Sequence, residues 1–417
     1  MRPSDFPRDR RFRTPGPAIL EDGKAHLRSY RDVQRFLLDD DGVEYALDTS
    51  YWAPPDQQLQ LALNWHFMWT TGRWRSDGSP GRHDVLRGLV EDHFRSRAVT
   101  ALRPRIQAIA ENLLRGIVAK GTGEVDLATE FAYRLSMQTI CMLTGLPLDR
   151  EEWMRGHLEA FNRRGFDPGA REPQEVRDYF WEVIDHRAAH PGDELLDTLI
   201  AGWRAGTITD LELLAYLWGM ASAGTDTTGT NIANAFVLLA EFDLFGEARR
   251  RRGDERWLRQ AGEEVLRFGT AFPTAPAIAV KDVTMEDDVT IPAGTPVNVW
   301  FAAANRAREV NGDNHQAAHP DIFDPYRRPN RHMAFGNGWR AAGMPGSPAG
   351  IHHCLGAQLA RLETVIALQA ALQWLPELEF DDTRFSRIAG IVDSVRTAYF
   401  RFDQREAERL LTRSGDR

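Results

Sequence analysis

The stretch Gly350-Ile351-His352-His353-Cys354-Leu355-Gly356-Ala357-Gln358-Leu359-Ala360-Arg361 sets one cysteine just ahead of an apolar run. Leu359, Leu362, Ile366 and Leu372 recur at roughly helical spacing until Pro376 stops the pattern, which predicts a helix opening beside the cysteine. A thiol there faces free backbone N–H groups and the positive end of the helix dipole, and both favour thiolate over thiol. Gly356 leaves room for a flat group to approach the backbone.

A thiolate with backbone donors around its sulfur is what an axial haem ligand needs, because electron density pushed onto iron promotes O–O cleavage. Phe335-Gly336-Asn337-Gly338 stands upstream and His352-His353-Cys354-Leu355-Gly356 downstream. Together they resemble the cysteine-ligand loop of the cytochromes P450, Phe-Gly-x-Gly-x-His-x-Cys-x-Gly. One departure is plain. Cys354 follows Phe335 by 19 positions where the pattern allows seven, so about twelve residues, Trp339 to Gly350, are extra. This Gly-, Pro- and Ala-rich insert lacks a helical or strand period and reads as a loop. Three readings apply: a neutral surface insertion, a remodelled electron-donor dock with Trp339 and Arg340 as contacts, or a shield that tunes the iron through hydrogen bonds near the sulfur. The dock is favoured over the shield.

The chain has 417 residues, 42% hydrophobic and 27% charged, which is ordinary globular usage. No Ser/Gly- or Pro-rich linker cuts its middle, so residues 1–20 read as a flexible N-terminal arm and 21–417 as a single catalytic domain. The net charge of −9 argues against nucleic acid as a partner. Two cysteines, Cys141 and Cys354, rule out a disulfide framework and fit a reducing cytoplasm. The first residues have neither a signal-peptide core nor a membrane anchor.

Along the chain, 26–38 reads as a short strand feeding a short helix. The aromatics of 48–76, Trp65 and Phe67 among them, read either as surface packing or as a pocket roof. His83 and Arg87, four apart, share a helix face. Residues 126–146 form an amphipathic helix holding Cys141, taken as a buried structural thiol. Residues 150–190 are helical, with a break near Asp167-Pro168-Gly169. Thr209-Asp210-Leu211-Glu212 is a capping box opening a helix to about Leu239. In its middle stands Ala223-Gly224-Thr225-Asp226-Thr227-Thr228-Gly229-Thr230, poor helix formers that require a local reason: a close helix crossing, or a functional groove. Glu264 and Arg267, three apart, suit a bidentate pair. Short strands are indicated at 277–280, 289–291 and 297–300, and a hairpin over 381–403.

The resemblance, which covers roughly residues 25–403, implies roles for these motifs. The fold would be mainly α with a small β region: the cytochrome P450 fold, a long central helix over the haem and the cysteine-ligand loop beneath. Cys354 would ligate the iron of haem b. His83, Arg87, His332 and His352 would anchor its propionates; an arginine often found at position 277 is Ala277 here. Asp226 and Thr227 would deliver protons during dioxygen activation. Glu264, Arg267 and Arg327 would brace the scaffold. Trp65, Phe67, Phe161, Ala223, Thr274 and Ile391 are candidate pocket residues. The implied activity is monooxygenation, most simply hydroxylation, of an apolar or aromatic small molecule in secondary metabolism by a monomer. Electrons would come from a separate ferredoxin and ferredoxin reductase, received at a basic face of Arg82, Arg87, Arg95 and Arg361. Other readings are oxidative coupling without oxygen insertion and a haem protein that only recruits partners. A zinc site at His352, His353 and Cys354 is disfavoured, because adjacent ligands do not close a tetrahedron.

Overall fold

Apolar spacing in the sequence becomes eleven helices of eight residues or more among the residues described by the computed structural model, which are 15–39, 43–46, 82–164, 174–285, 288–311, 319–336 and 351–415. Trp65, Phe67, the break at 167–169 and the insert 339–350 lie outside the described residues. The helices are α1 (Tyr30–Leu37), α2 (His83–Phe94), α3 (Arg103–Ala119), α4 (Tyr133–Thr144), α5 (Glu151–Arg164), α6 (Gln174–Ala189), α7 (Leu195–Arg204), α8 (Asp210–Glu241), α9 (Glu255–Phe268), α10 (Ala357–Trp374) and α11 (Gln404–Gly415).

Local chemistry sets several ends. Ser29 caps α1 by accepting from the Asp32 N–H at 3.0 Å. Thr209 and Glu212 satisfy each other's backbone N–H groups at the start of α8. Gly145, at φ 83°, ends α4 in the left-handed region that glycine enters without strain. The amphipathic stretch from Asp126 begins as a π-turn over Leu127–Ala132 before α4 takes over. Cys141 is buried within α4, and burial followed by Glu151 pushes its thiol up to about 12, so it stays protonated.

The strands are β1 (Ile19–Glu21), β2 (Lys24–Leu27), β3 (Tyr45–Ala46), β4 (Glu124–Asp126), β5 (Ala275–Ala279), β6 (Val283–Thr284), β7 (Thr290–Ile291), β8 (Pro296–Val299), β9 (Glu379–Ile388) and β10 (Ser394–Arg401). They form a five-stranded sheet in the order β1-β2-β8-β5-β3, a three-stranded sheet β4-β10-β9, and the pair β6-β7. The larger apolar core gathers around α8, which is buried on nearly every side. A second core joins the five-stranded sheet to α1, and Phe272 packs against both.

The glycines of α8 explain its odd composition. A Cβ at Gly224 would lie 2.7 Å from Ile140, and one at Gly229 would lie 2.9 Å from the Tyr133 ring. Ser136 donates to the Thr225 carbonyl at 2.9 Å across the same crossing. These glycines therefore serve a close approach of α8 to α4. Of the threonines between them, Thr225 donates to Met137 Sδ of α4 at 3.5 Å, whereas Thr227 and Thr228 face a cavity.

Candidate active site

Ala223, Thr227, Thr228 and Asn231 stand at helical spacing on α8 and line one cavity. His83, Leu86, Arg87 and Val90 of α2 line it too, as do Phe335-Gly336 and His352 to Leu355. The cavity holds about 1260 Å³ of non-protein space including its mouth, more than a drug-sized ligand needs.

The cysteine loop closes across the insert. The Cys354 N–H donates to the Phe335 carbonyl at 2.9 Å. Gly336 adopts φ +81°, and a Cβ there would sit 3.7 Å from the His352 carbonyl oxygen. The two halves of the motif thus meet in space although 17 residues stand between Gly336 and Cys354 in sequence. Cys354 is half-buried. Burial pushes its thiol up, and the Gly356 and Ala357 N–H groups with Arg361 and Arg87 oppose that rise and favour the thiolate.

Around the sulfur, the His83 and His352 rings meet edge to face with centroids 4.9 Å apart. Arg87 donates to the His353 carbonyl at 3.0 Å and so ties α2 to the loop. His353 is lowered to about 4 by burial, then by Arg361, Arg87 and His332, and is neutral near pH 7. His332 takes another course. It is off the cavity lining, and its Nε2 lies 3.0 Å from Glu263 Oε2. The expected propionate role of His332 therefore finds no support in its placement. Ala277 is buried in the sheet, paired with Val297.

On α8, the Thr227 hydroxyl donates to the Ala223 carbonyl at 2.6 Å, which leaves its lone pairs for the cavity. Asp226 is buried off the lining. Burial, then the charge of Glu159, raises its carboxyl to about 7, with Arg396 opposing. Arg396 is ion-paired with Glu159.

Of the six candidate pocket residues, Ala223 lines the cavity. Phe161 is core, edge-on to Trp218 at 5.8 Å. Ile391 is buried with its N–H toward the Asn162 carbonyl at 3.4 Å, and the Thr274 hydroxyl is buried without a hydrogen-bond partner among the described residues. None of these three lines the cavity. Sequence reading missed Asn231, whose Nδ2 donates to Thr364 at 3.0 Å and whose Oδ1 has no partner among the described residues. Its spacing of four from Thr227 was the available signal.

Below the site, Glu264 accepts from Arg267 Nε and Nη2 at 2.8 Å each and from Arg327 Nε at 3.1 and 3.2 Å, all three side chains fully buried. Asp324 N–H and Asn330 add bonds at 2.9 and 3.0 Å, so the buried charges are fully engaged. The expected basic face is largely neutralised: Arg82 pairs with Glu212, Arg95 with Glu91 and Asp92, and Arg361 with Glu263.

The family model for cytochrome P450 matches residues 256–381. Mycinamicin IV hydroxylase/epoxidase of Micromonospora griseorubida is 36% identical over 308 residues, 71% of this chain and 71% of that protein. The chain belongs to the cytochrome P450 family. Cytochrome P450 monooxygenase PikC of Streptomyces venezuelae is 31% identical over 386 residues, 90% of this chain and 85% of that one. In structure, the P450 CYP154A1 of Streptomyces coelicolor A3(2) superposes with a TM-score of 0.77 at 26% identity, covering 97% of this chain and 99% of its own. The protein is a P450 monooxygenase of the kind that tailors bacterial secondary metabolites, and its cofactor is cysteine-ligated haem b. The residues present suit that group. A thiol, three imidazoles and a guanidinium converge on one cavity, and a Cβ at Gly356 would meet no protein atom within 4 Å. Among the described residues, no helix is long and apolar enough to cross a membrane.

Proposed function

We propose that Cys354 is the haem ligand and that this P450 hydroxylates an apolar or aromatic small molecule. The observation that carries the reading is one cavity holding Cys354, Thr227 and Ala223 together, with Arg87, His83 and His352 on its lining. Haem bound through a cysteine sulfur supplies the centre at which dioxygen is reduced and one oxygen atom is transferred.

The chain's own residues do the rest. Arg87, His83 and His352 would hold the haem propionates, and Arg87 also fixes the loop through the His353 carbonyl. His332 is not among them. Asp226, with a carboxyl balanced near neutrality, takes up and releases a proton at working pH. Thr227, its own proton committed to Ala223, accepts a hydrogen bond from the cavity and fixes where the proton is delivered. Leu86, Val90, Phe272 and Phe301 give the apolar walls that favour an apolar substrate and exclude water. A separate ferredoxin and its reductase supply electrons, and the enzyme works as a single catalytic domain in the cytoplasm.

The reduced, CO-bound absorption spectrum tests the reading. Wild type should show the red-shifted band of thiolate ligation; Cys354→Ser should lose both band and turnover. A serine variant that keeps them removes Cys354 from the role. Product analysis under labelled dioxygen then separates hydroxylation, with one labelled atom in product, from coupling, with none.

A further inference from the structure

Glu263 and Glu264 are neighbours on α9, yet they serve different parts of the molecule. Glu264 holds the arginine pair of the scaffold. Glu263 instead reaches the cysteine loop. Its Oε2 lies 3.0 Å from His332 Nε2 and 3.0 Å from Arg361 Nη2, and its Oε1 lies 2.6 Å from Arg361 Nε. Both partners border the ring of Phe335: the Arg361 guanidinium is 4.6 Å from its centroid and the His332 ring 6.1 Å. Phe335 is the residue whose carbonyl accepts the Cys354 N–H at 2.9 Å.

The insert gives this arrangement its purpose. His332 and Phe335 stand before it and Arg361 after it, on the helix that opens three residues past Cys354. A longer connection between two flanks raises the entropic cost of bringing them together. A carboxylate bonded to both flanks offsets that cost and restores the fixed spacing that a short loop would give without help. Burial alone would raise the Glu263 carboxyl, but hydrogen bonds and charge from His332 and Arg361 hold it well below the ordinary range, so it is an anion throughout the working pH.

We propose that Glu263 is a positioning residue for the haem ligand: it clamps the two flanks of the insert onto Phe335 and thereby fixes the carbonyl that receives the Cys354 N–H. This rests on the reading of Cys354 as that ligand. The clamp touches neither substrate nor haem; it acts through Arg361, His332 and Phe335.

The test uses the full chain loaded with haem and two readouts: the lifetime of the red-shifted band of the reduced CO complex, and the reduction potential. Glu263→Gln should lose that band roughly tenfold faster than wild type, the lower end of what outer-shell partners contribute at metal sites. Its potential should shift upward, because an anion near the centre is gone. Arg361→Lys keeps the charge but loses the two-nitrogen grip, so it should shorten the band's lifetime with little shift in potential. Glu263→Gln and Arg361→Lys, both folded by circular dichroism and both matching wild type in lifetime and potential, would overturn the clamp while Cys354→Ser still abolishes the band. Retention of the band in Cys354→Ser would instead sink the ligand reading. If Glu263→Gln does not fold, Arg361→Lys decides alone.

Discussion

Asp226 shows how far burial moves one group. In the unfolded chain its carboxyl titrates at the ordinary 3.8; in the fold, burial and then Glu159 raise it to about 7. A carboxyl raised in this way keeps a proton that the unfolded chain releases, so its contribution to stability is lost as pH climbs from about 4 to about 7 and changes no further above that. Asp226→Asn removes the penalty. Its stability should match wild type near pH 4 and exceed it at pH 8, by a margin on the order of 4 kcal/mol at most. Thermal denaturation across pH checks the trend, and a margin independent of pH would refute it. The same variant should bind haem normally while product formation falls by about 10²–10⁴-fold, the usual worth of a placed acid. Unchanged turnover would exclude Asp226 from proton handling.

At the scale of elements, the contact of α8 with α4 depends on missing side chains. Gly224→Ala should lower stability by about 1–3 kcal/mol despite alanine's better helix propensity, because its Cβ would press on Ile140. Ile140→Ala opens a hole at the same place, so the double variant should cost less than the two single changes summed. Denaturant titration of the three proteins measures the coupling; strict additivity would show that the glycine is not there for the crossing. The Glu264 cluster behaves differently. Arg267→Ala removes the two-nitrogen partner of a fully buried carboxylate, leaving Arg327 as its one cationic partner among the described residues, and should cost about 3–5 kcal/mol. Since Arg267 also donates to the Asn305, Pro320 and Ile322 carbonyls, the loss should loosen the chain around those residues first, seen as faster amide exchange there.

For the whole molecule, the insert raises the question of what holds the proximal loop. Phe335 and Cys354 already meet through the Cys354 N–H bond to the Phe335 carbonyl. Excision of 339–350 should leave haem incorporation and the CO-bound spectrum intact. If the electron-donor reading of the insert holds, the reduction rate with ferredoxin changes while the spectrum does not. Loss of haem on excision would show that the insert itself builds the site.

Much of the site was legible because its signals are local. A helix period after Cys354, a capping box at Thr209, and spacings of four between His83 and Arg87 and of three between Glu264 and Arg267 all lie within a turn or two of chain. The short strands and the 379–401 hairpin were legible for the same reason. What escaped were matters of partner choice. His332 looked like a propionate contact, yet it lies against Glu263, which is 69 positions away. The basic face is largely neutralised because Arg82, Arg95 and Arg361 each meet a carboxylate, while Arg87 donates to the His353 carbonyl.

The sequence by itself determined the helices that open at Thr209 and after Cys354, the short strands near 277–300, the cysteine ahead of its helix and the family likeness, since each is written in periods and spacings along the chain. Only the tertiary structure decided that Cys354 sits beneath a raised pKa, that Asp226 rests near neutrality, and that Glu263 binds both sides of the insert. The reason is physical. Desolvation and charge depend on what lies within a few ångströms in space, and those neighbours come from helices and loops far apart in the chain.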